Sequence, residues 1–393
     1  MKPVRQFVVW QPVLTDHMAY TLQALSRQSG RPLVVHVSRL QDPVRQAQGW
    51  SESQVLRAER RLLPARGGLR HRLRLLRAHR ADIHLFGSPF EEPKAILTLL
   101  AAALLGCEFY LVSEPYSPSV EGYFDDRAPW RNRLRATLRP LVYRAYGWLI
   151  GQRLHGVFAI SALAIAQYRG IGVPAAKLYP FGYFVPRLEP ASMPIQAPLT
   201  QAPGLRIVFV GNPIRRKGLD LLVAAVRGLV AEGHAVRLDV HGPGHPDAVP
   251  GDDSAVRYRG PIEFGQAQAT IARYDLLVLP SRYDGWGVVV NEALLAQVPV
   301  VCSDRVGARV LVQRFGAGGV FPSGDVAALQ AVLRSLALEP GRLAAMKAAA
   351  RIAAAAIAPE VAAGYLQAVI DAEPRQRPAV VSPWYGPQAV ADV

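Results

Sequence analysis

Strand-length apolar runs recur along this chain, each set off from the next by a helix-length segment. In the first half they are "QFVVWQPV", "PLVVHVSR", "DIHLFG", "EFYLVSEP" and "GVFAIS". In the second they are "LRIVFVG", "AVRLDVHG", "VRYRG", "DLLVLPS" and "PVVCSD", with "GLDLLVAAVRGLVAEG", "EFGQAQATIARY" and "VVVNEALLAQ" between them as helices. This rhythm predicts parallel sheets covered by helices on both faces. It breaks once, at "RLEPASMPIQAPLTQAPG", where proline, alanine and polar residues leave no periodicity. The expected organisation is therefore a Rossmann-like domain over 1–186, a linker over 187–204 and a second Rossmann-like domain over 205–358. The segment 359–393 is expected to form a helix and tail that pack back on the first domain. A chain of 393 residues is long enough for two such cores. In α/β sheets of this kind ligands bind beyond the carboxyl ends of the strands, here in the cleft between the domains.

Composition narrows the class. Half the residues are hydrophobic and 19% are charged, as in globular proteins. Cys107 and Cys302 lie far apart with no CxxC or Cys/His spacing, which argues against a disulfide framework or structural zinc and fits a reducing cytosol. The N-terminal "MKPVRQFVVWQPVLTDH" reads as a buried strand rather than a secretory leader. The longest apolar run, "AILTLLAAALLGC", is too short to span a bilayer and reads as a core helix.

The formal charge of +15 is concentrated in Arg57 to Arg80 and in Arg127 to Arg144. In the second segment Trp130, Leu134, Leu138, Leu141 and Val142 follow helical spacing, with Arg131, Arg135 and Arg139 among them. Such basic amphipathic helices can lie on an anionic membrane surface. A solvated helix face is the plainer reading. A nucleic-acid surface is disfavoured, because no motif for one accompanies the charge.

Three strand ends in the second half carry the chemistry. In "VFVGNPIRRKGLD", Gly211 ends a strand and Lys217-Gly218 open a helix, an arrangement that favours a phosphate group without being a Walker A loop. In "LDVHGPGHP", Gly242 and Gly244 permit close backbone approach or simply form a turn. In "LPSRYDGWGVVVNEALLA", free N–H groups from Gly285 to Val288 at a helix start could hold an anion or a sugar hydroxyl. Glu292, a turn further in, could accept two hydrogen bonds from a vicinal diol, and Asp284 could hold hydroxyls of a second sugar.

Taken in order, these features resemble the family 4 glycosyltransferases of the GT-B fold. The likeness is close from Leu205 to about Leu336, through "YDLLVLPSRYDGWGVVVNEALLAQVPVV" and "GGVFPSGDVAAL". In the first domain it rests on the rhythm and on "AISALAIAQYRGIGVPAAKLYPFGYFV". The resemblance implies a GT-B fold, two doubly wound domains facing a cleft. It implies that Lys217, with Arg216, neutralises the diphosphate of a nucleotide-sugar donor, and that Glu292 binds the ribose. Asp284 would hold the donor hexose, and the backbone of Gly285, Trp286, Gly287, Val288 and Val289 would complete the cradle. Gly211, Asn212, Gly242 and Gly244 would line it, and Gly260 to Ile262 would meet the base. No metal is expected; Asp125-Asp126 and Asp252-Asp253 read as loop acids. In the first domain His17, in "QPVLTDHMAY", and Glu114 or Ser113, in "LVSEPYSP", occupy the places that would serve the acceptor or the reacting hydroxyl, so His17 and Glu114 join Asp284 and Lys217 as catalytic candidates, with a core or helix-start histidine as the alternative reading of His17.

Several positions depart from the family pattern. Asp284 replaces the usual glutamate, Trp286 a phenylalanine, and Asn212 an arginine of the phosphate clamp. Ala308 replaces a glycine. Gln297 stands for the glycine before "PVV", so the preceding helix is expected to lack its left-handed terminal residue.

The resemblance implies a retaining, metal-independent hexosyltransferase of surface-polysaccharide assembly in bacteria. It would use a UDP- or GDP-sugar and a lipid-linked or polysaccharide acceptor, in the cytoplasm at the inner face of the membrane. An epimerase or glycan phosphorylase of the same fold, or a silent sugar-nucleotide binder, are the alternatives.

Overall fold

The computed structural model describes residues 4–40, 59–64, 67–88, 93–116, 129–188, 204–244, 254–263 and 265–385. Most of the expected linker, the Asp125-Asp126 and Asp252-Asp253 pairs, and the last eight residues lie outside them. The chain divides into two compact units. One comprises Met1–Pro118, Arg127–Phe184 and Pro359–Val393, the other Ser119–Asp126 and Val185–Ala358.

Unit 1 holds β1 (Phe7–Gln11), β2 (Leu33–Val37), β3 (Glu59–Leu62), β4 (Ile83–Phe86), β5 (Glu108–Ser113), β6 (Gly156–Ile160) and β7 (Leu178–Phe181). They form one parallel sheet in the order β3-β2-β1-β4-β5-β6-β7. β1, β2, β4, β6 and β7 are buried along almost their whole length, which is why they read as continuous apolar runs rather than alternating ones. β3 differs. It is the "ERRL" of the first arginine-rich segment, an edge strand with its side chains largely in solvent, so that segment is not a single basic helix. Its second part, Gly68–Ala78, is helical and buries Leu76 and Arg72. Arg72 donates to Ser38 Oγ at 2.8 Å and Thr98 Oγ1 at 3.4 Å, tying three elements together.

The helix Pro359–Asp371 packs along Asp16–Ser29, the helix that follows β1. Gln28 donates to the Glu360 carbonyl, and Arg31 pairs with Asp371 at 2.8 Å. Beyond it, Trp384 is fully buried, stacked on Phe184 at 4.2 Å between ring centroids and edge-on to Phe181 and Tyr365. An indole enclosed in this way removes a large apolar surface from water, so the C-terminal segment belongs to the core of unit 1.

Unit 2 holds β8 (Leu205–Val210), β9 (Val236–His241), β10 (Val256–Gly260), β11 (Leu276–Leu279), β12 (Val300–Ser303) and β13 (Gly318–Phe321), parallel in the order β10-β9-β8-β11-β12-β13. Its core gathers Ile207, Phe209, Leu222, Val226, Leu238, Val278 and Leu333 between sheet and helices. The strand order reverses between β8 and β11, and that is the point where α/β sheets take ligands.

The helix Val288–Leu295 ends in a way the sequence did not suggest. Gln297 adopts a left-handed backbone, φ +61°. Val298 N–H donates to Ala293 O and Gln297 N–H to Leu294 O, the paired bonds of a Schellman motif. The left-handed residue is therefore present and is carried by a glutamine, at a cost of about 1 kcal/mol. Gln297→Gly is expected to raise stability by about 0.5–1 kcal/mol, read as a higher thermal midpoint in calorimetry.

His36 and His84 lie fully buried beside Trp10. His84 accepts from Trp10 Nε1 and faces the His79 carbonyl, while neither ring nitrogen of His36 meets a hydrogen-bond partner among the described residues. Burial, the largest cause for both, holds these imidazoles down at about 4. The unfolded chain therefore binds protons that the folded chain refuses between about pH 6.5 and 4, and stability falls as pH drops through that window. The loss is up to about 3 kcal/mol per ring. Thermal midpoints measured from pH 7 to 4.5 should fall, and His36→Leu should flatten the curve.

Candidate functional site

At the β8–β11 switch point two loops are stitched together. β8 leads through Gly211 and Asn212 into a 3-10 turn, Arg215–Lys217, and Gly218 then caps the helix Leu219–Ala231. Gly218 is left-handed, φ +69°, and a Cβ there would meet the Pro280 carbonyl oxygen at 2.1 Å. Only glycine permits this approach of the helix start to the end of β11. From the other side Arg282 donates its backbone N–H to Arg216 O and its Nη1 to Arg215 O, both at 2.8 Å, and its guanidinium pairs with Asp220. Arg216 Nη1 returns a bond to Tyr283 O at 3.0 Å. Sequence reasoning passed over Arg282, whose one visible signal is its place between Ser281 and Tyr283.

This stitching brings Lys217 Nζ to 2.6 Å from Asp284 Oδ2, with Arg216 Nη1 3.9 Å from Oδ1. All three side chains are largely enclosed. The loop after β12 holds the acid's backbone. Asp284 N–H donates to Arg305 O, Gly307 N–H to Asp284 O, and Ala308 N–H to Trp286 O. Trp286 itself faces inward, buried, with Nε1 donating to Asn291 Oδ1 at 2.9 Å. Its indole is thus part of the core, and the backbone is what this position adds to the site. Gly287, φ +94°, caps the helix Val288–Leu295. The first N–H of that turn with a carbonyl acceptor is that of Val290, bonded to Gly287 O. The amides of Val288 and Val289 precede it and point out of the helix start.

Glu292 differs from Asp284 in every respect. No cation or donor among the described residues meets its carboxylate, and burial pushes its carboxyl up to about 7 from the ordinary 4.5. It stands one turn beyond the exposed amides, half-buried.

The neighbouring strand end completes the floor. Gly242 lies so near Gly211 that a Cβ would meet the Gly211 carbonyl oxygen at 2.0 Å. Tyr258 Oη donates to the carbonyls of Gly242 and Gly244, 2.8 Å each. Gly260, φ +80°, ends β10, and Ile262 follows it half-buried. The structure thus collects Gly211, Asn212, Arg216, Lys217, Gly242, Gly244 and the 284–292 segment at the carboxyl ends of one sheet, with Gly260 and Ile262 at its edge. His17 and Glu114 belong to unit 1. His17 is buried in the first turn after β1, bonded to Thr15 Oγ1 at 2.9 Å and packed on Tyr183. Glu114 follows β5, with Ser113 buried behind it.

Two parallel-sheet units of this topology, one with a phosphate-ready switch point, define the GT-B class of fold. Solved structures agree. The chain matches Anabaena HepE in complex with UDP at a TM-score of 0.68 and 15% identity, over 93% of this chain and 99% of that one. It matches a sucrose-phosphate synthase from Thermosynechococcus elongatus at 0.63 and 18% identity, over 96% and 100%. Residues 204–339 match the model of the family glycosyl transferases group 1. It is similar to a phosphatidyl-myo-inositol mannosyltransferase of Mycobacterium leprae, 28% identical over 192 residues, 47% of this chain and 50% of that protein. It is also similar to a D-inositol 3-phosphate glycosyltransferase of Xylanimonas cellulosilytica, 30% identical over 202 residues, 49% and 46%. The chain spans half or less of the length of the curated relatives it matches.

The state of Glu292 is open to direct measurement. Between about pH 4.5 and 7 the folded chain keeps a proton that the unfolded chain releases, so Glu292 lowers stability as pH rises through that window. Glu292→Gln keeps the shape and removes the charge. Calorimetry should show it more stable than the parent at pH 8, by about 1–3 kcal/mol, and equal to it at pH 5.

Proposed function

We propose that the chain is a retaining, metal-independent hexosyltransferase. It moves a sugar from a UDP- or GDP-sugar to a hydroxyl of a lipid-linked or polysaccharide acceptor, in surface-polysaccharide assembly at the inner face of the cell membrane. The carrying observation is the asymmetry of the two acids in the unit that matches the family: Asp284 paired to Lys217, and Glu292 desolvated with no partner among the described residues.

That asymmetry suits a donor with two sugar rings and a diphosphate between them. The diphosphate would share Lys217 and Arg216 with Asp284, drawing on the amides of Val288 and Val289 at the helix start. As the bond to the transferred sugar breaks, charge grows on the leaving phosphate, and these fixed cations and dipoles stabilise it by several kcal/mol of barrier. Asp284, ion-paired and held by the loop after β12, would take the hexose hydroxyls. Glu292 would accept from the two ribose hydroxyls, and those bonds favour its charged form. The named binding of UDP by Anabaena HepE supports a uridine donor by analogy of fold. His17 and Glu114, at strand ends of unit 1, are the residues we assign to the acceptor.

A thermal-shift panel of UDP-, GDP-, ADP- and dTDP-sugars tests the donor, because a ligand bound to the native state raises the apparent midpoint. One base should stand out, with the shift abolished in Lys217→Ala and Glu292→Ala. No shift with any sugar nucleotide would remove the reading. Nucleoside diphosphate released only when acceptor is present would separate transfer from epimerisation or silent binding.

A further inference from the structure

The helix Pro129–Ile150 in unit 1 has two apolar faces, and only one of them is used by the fold. Asn132, Tyr143, Tyr146 and Ile150 are buried. At about 100° per residue they share an arc of about 60°. Gly147 lies on that side as well, where a Cβ would meet the Ile171 carbonyl oxygen at 2.1 Å. The other face is exposed. Trp130, Leu134, Leu138, Leu141, Val142 and Trp148 all stand in solvent, Trp148 at 79% and Trp130 at 65%, and they fall within a single arc of about 120°. Trp130 and Trp148 are in phase, about 27 Å apart along the axis. Arg133 and Arg144 flank one edge of the arc and Arg135 the other, Arg131 falls just inside that second edge, and Arg139 lies on the buried side over the Tyr116 ring. No acidic residue occurs between 129 and 150. On the adjoining helix Pro93–Leu105, Leu97 and Leu104 are exposed too.

We propose that this face lies on an anionic lipid bilayer, with the helix in the plane of the surface. The apolar arc would enter the acyl boundary, and the tryptophans would sit at headgroup depth at either end. The arginines along both edges would meet lipid phosphates. Charge decides the occupant. A second copy of the chain would set one acid-free arginine-bearing face against another, whereas an anionic bilayer supplies the complementary sign and the apolar depth together. The helix is not itself a span, since no single described helix is long and apolar enough to cross a membrane. The inference rests on the proposed function only for its purpose, that of bringing the enzyme to a lipid-linked acceptor.

Co-sedimentation of the full chain with vesicles of phosphatidylcholine alone, and with phosphatidylglycerol added, tests the docking without any turnover. Binding is expected only to the anionic vesicles, falling as salt rises. Trp130→Glu/Trp148→Glu and Arg131→Ala/Arg135→Ala should each weaken it by about tenfold or more. These positions are exposed, so thermal midpoints and the response to sugar nucleotides should stay as in the parent. Equal recovery with both vesicle types, or unchanged binding by the tryptophan pair variant, would overturn the proposal. So would a dimer in sedimentation velocity that Trp148→Glu dissociates, which would place a second copy on this face. Lipid binding that persists when no sugar nucleotide shifts the midpoint would count against the donor reading and leave the docking intact.

Discussion

Unit 2 is organised around the contact between Lys217 and Asp284, at 2.6 Å. Neither residue reaches the other by its own loop alone. Lys217 is delivered by a 3-10 turn that Gly218 allows to press against Pro280, and Asp284 by a loop whose backbone is gripped by Arg305 and Gly307. Arg282 joins the two by bonding both Arg215 and Arg216. A largely enclosed carboxylate left without its cation would carry the full cost of its desolvation, so the pair and the loops that bring it together stand or fall together. The site is pre-built because the fold around the switch point is.

Glu292 is placed differently. It sits, half-buried, on the helix that Asp284's loop leads into, and among the described residues no arginine or lysine pairs with it. Asp284 is ion-paired to Lys217, whereas burial pushes the Glu292 carboxyl up to about 7. Two carboxylates separated by seven residues in sequence thus take distinct electrostatic roles. A general acid/base pair for hydrolysis would flank a scissile bond with room for water. Asp284 is instead committed to a cation, and Glu292 stands a helical turn away from it.

Much of the architecture could be read from the chain because parallel strands buried on both faces must be apolar throughout, and most of them were. What escaped reading had a physical reason in each case. β3 is an exposed edge strand, so "ERRL" carries charge where a central strand carries valine. The burial of Trp384 depends on Phe181, Phe184 and Tyr365, distant in sequence, and local pattern cannot announce it. Gln297 takes the backbone of the glycine it replaces, since the Schellman bonds and the packed helix override the residue's own preference. At the site, Lys217, Asp284 and the amide-rich turn were visible as motifs, but their pairing, and the inward turn of Trp286, are tertiary facts.

The helix Pro129–Ile150 shows how periodicity can conceal as well as reveal. An ordinary surface helix has one apolar stripe, and its spacing points to the core. Here Tyr143, Tyr146 and Ile150 supply that stripe while Leu134, Leu138 and Trp148 supply a second at another angle. Superposed in sequence, the two blur into a helix that is merely mixed in character. The arginines help to resolve the ambiguity, because Arg133, Arg135 and Arg144 stand beside the outer stripe, while Arg139, on the inner side, is half-buried over the Tyr116 ring. A core-facing stripe whose one arginine packs on a tyrosine and a solvent-facing stripe flanked by exposed cations answer to different partners. Among the described residues only the first is buried.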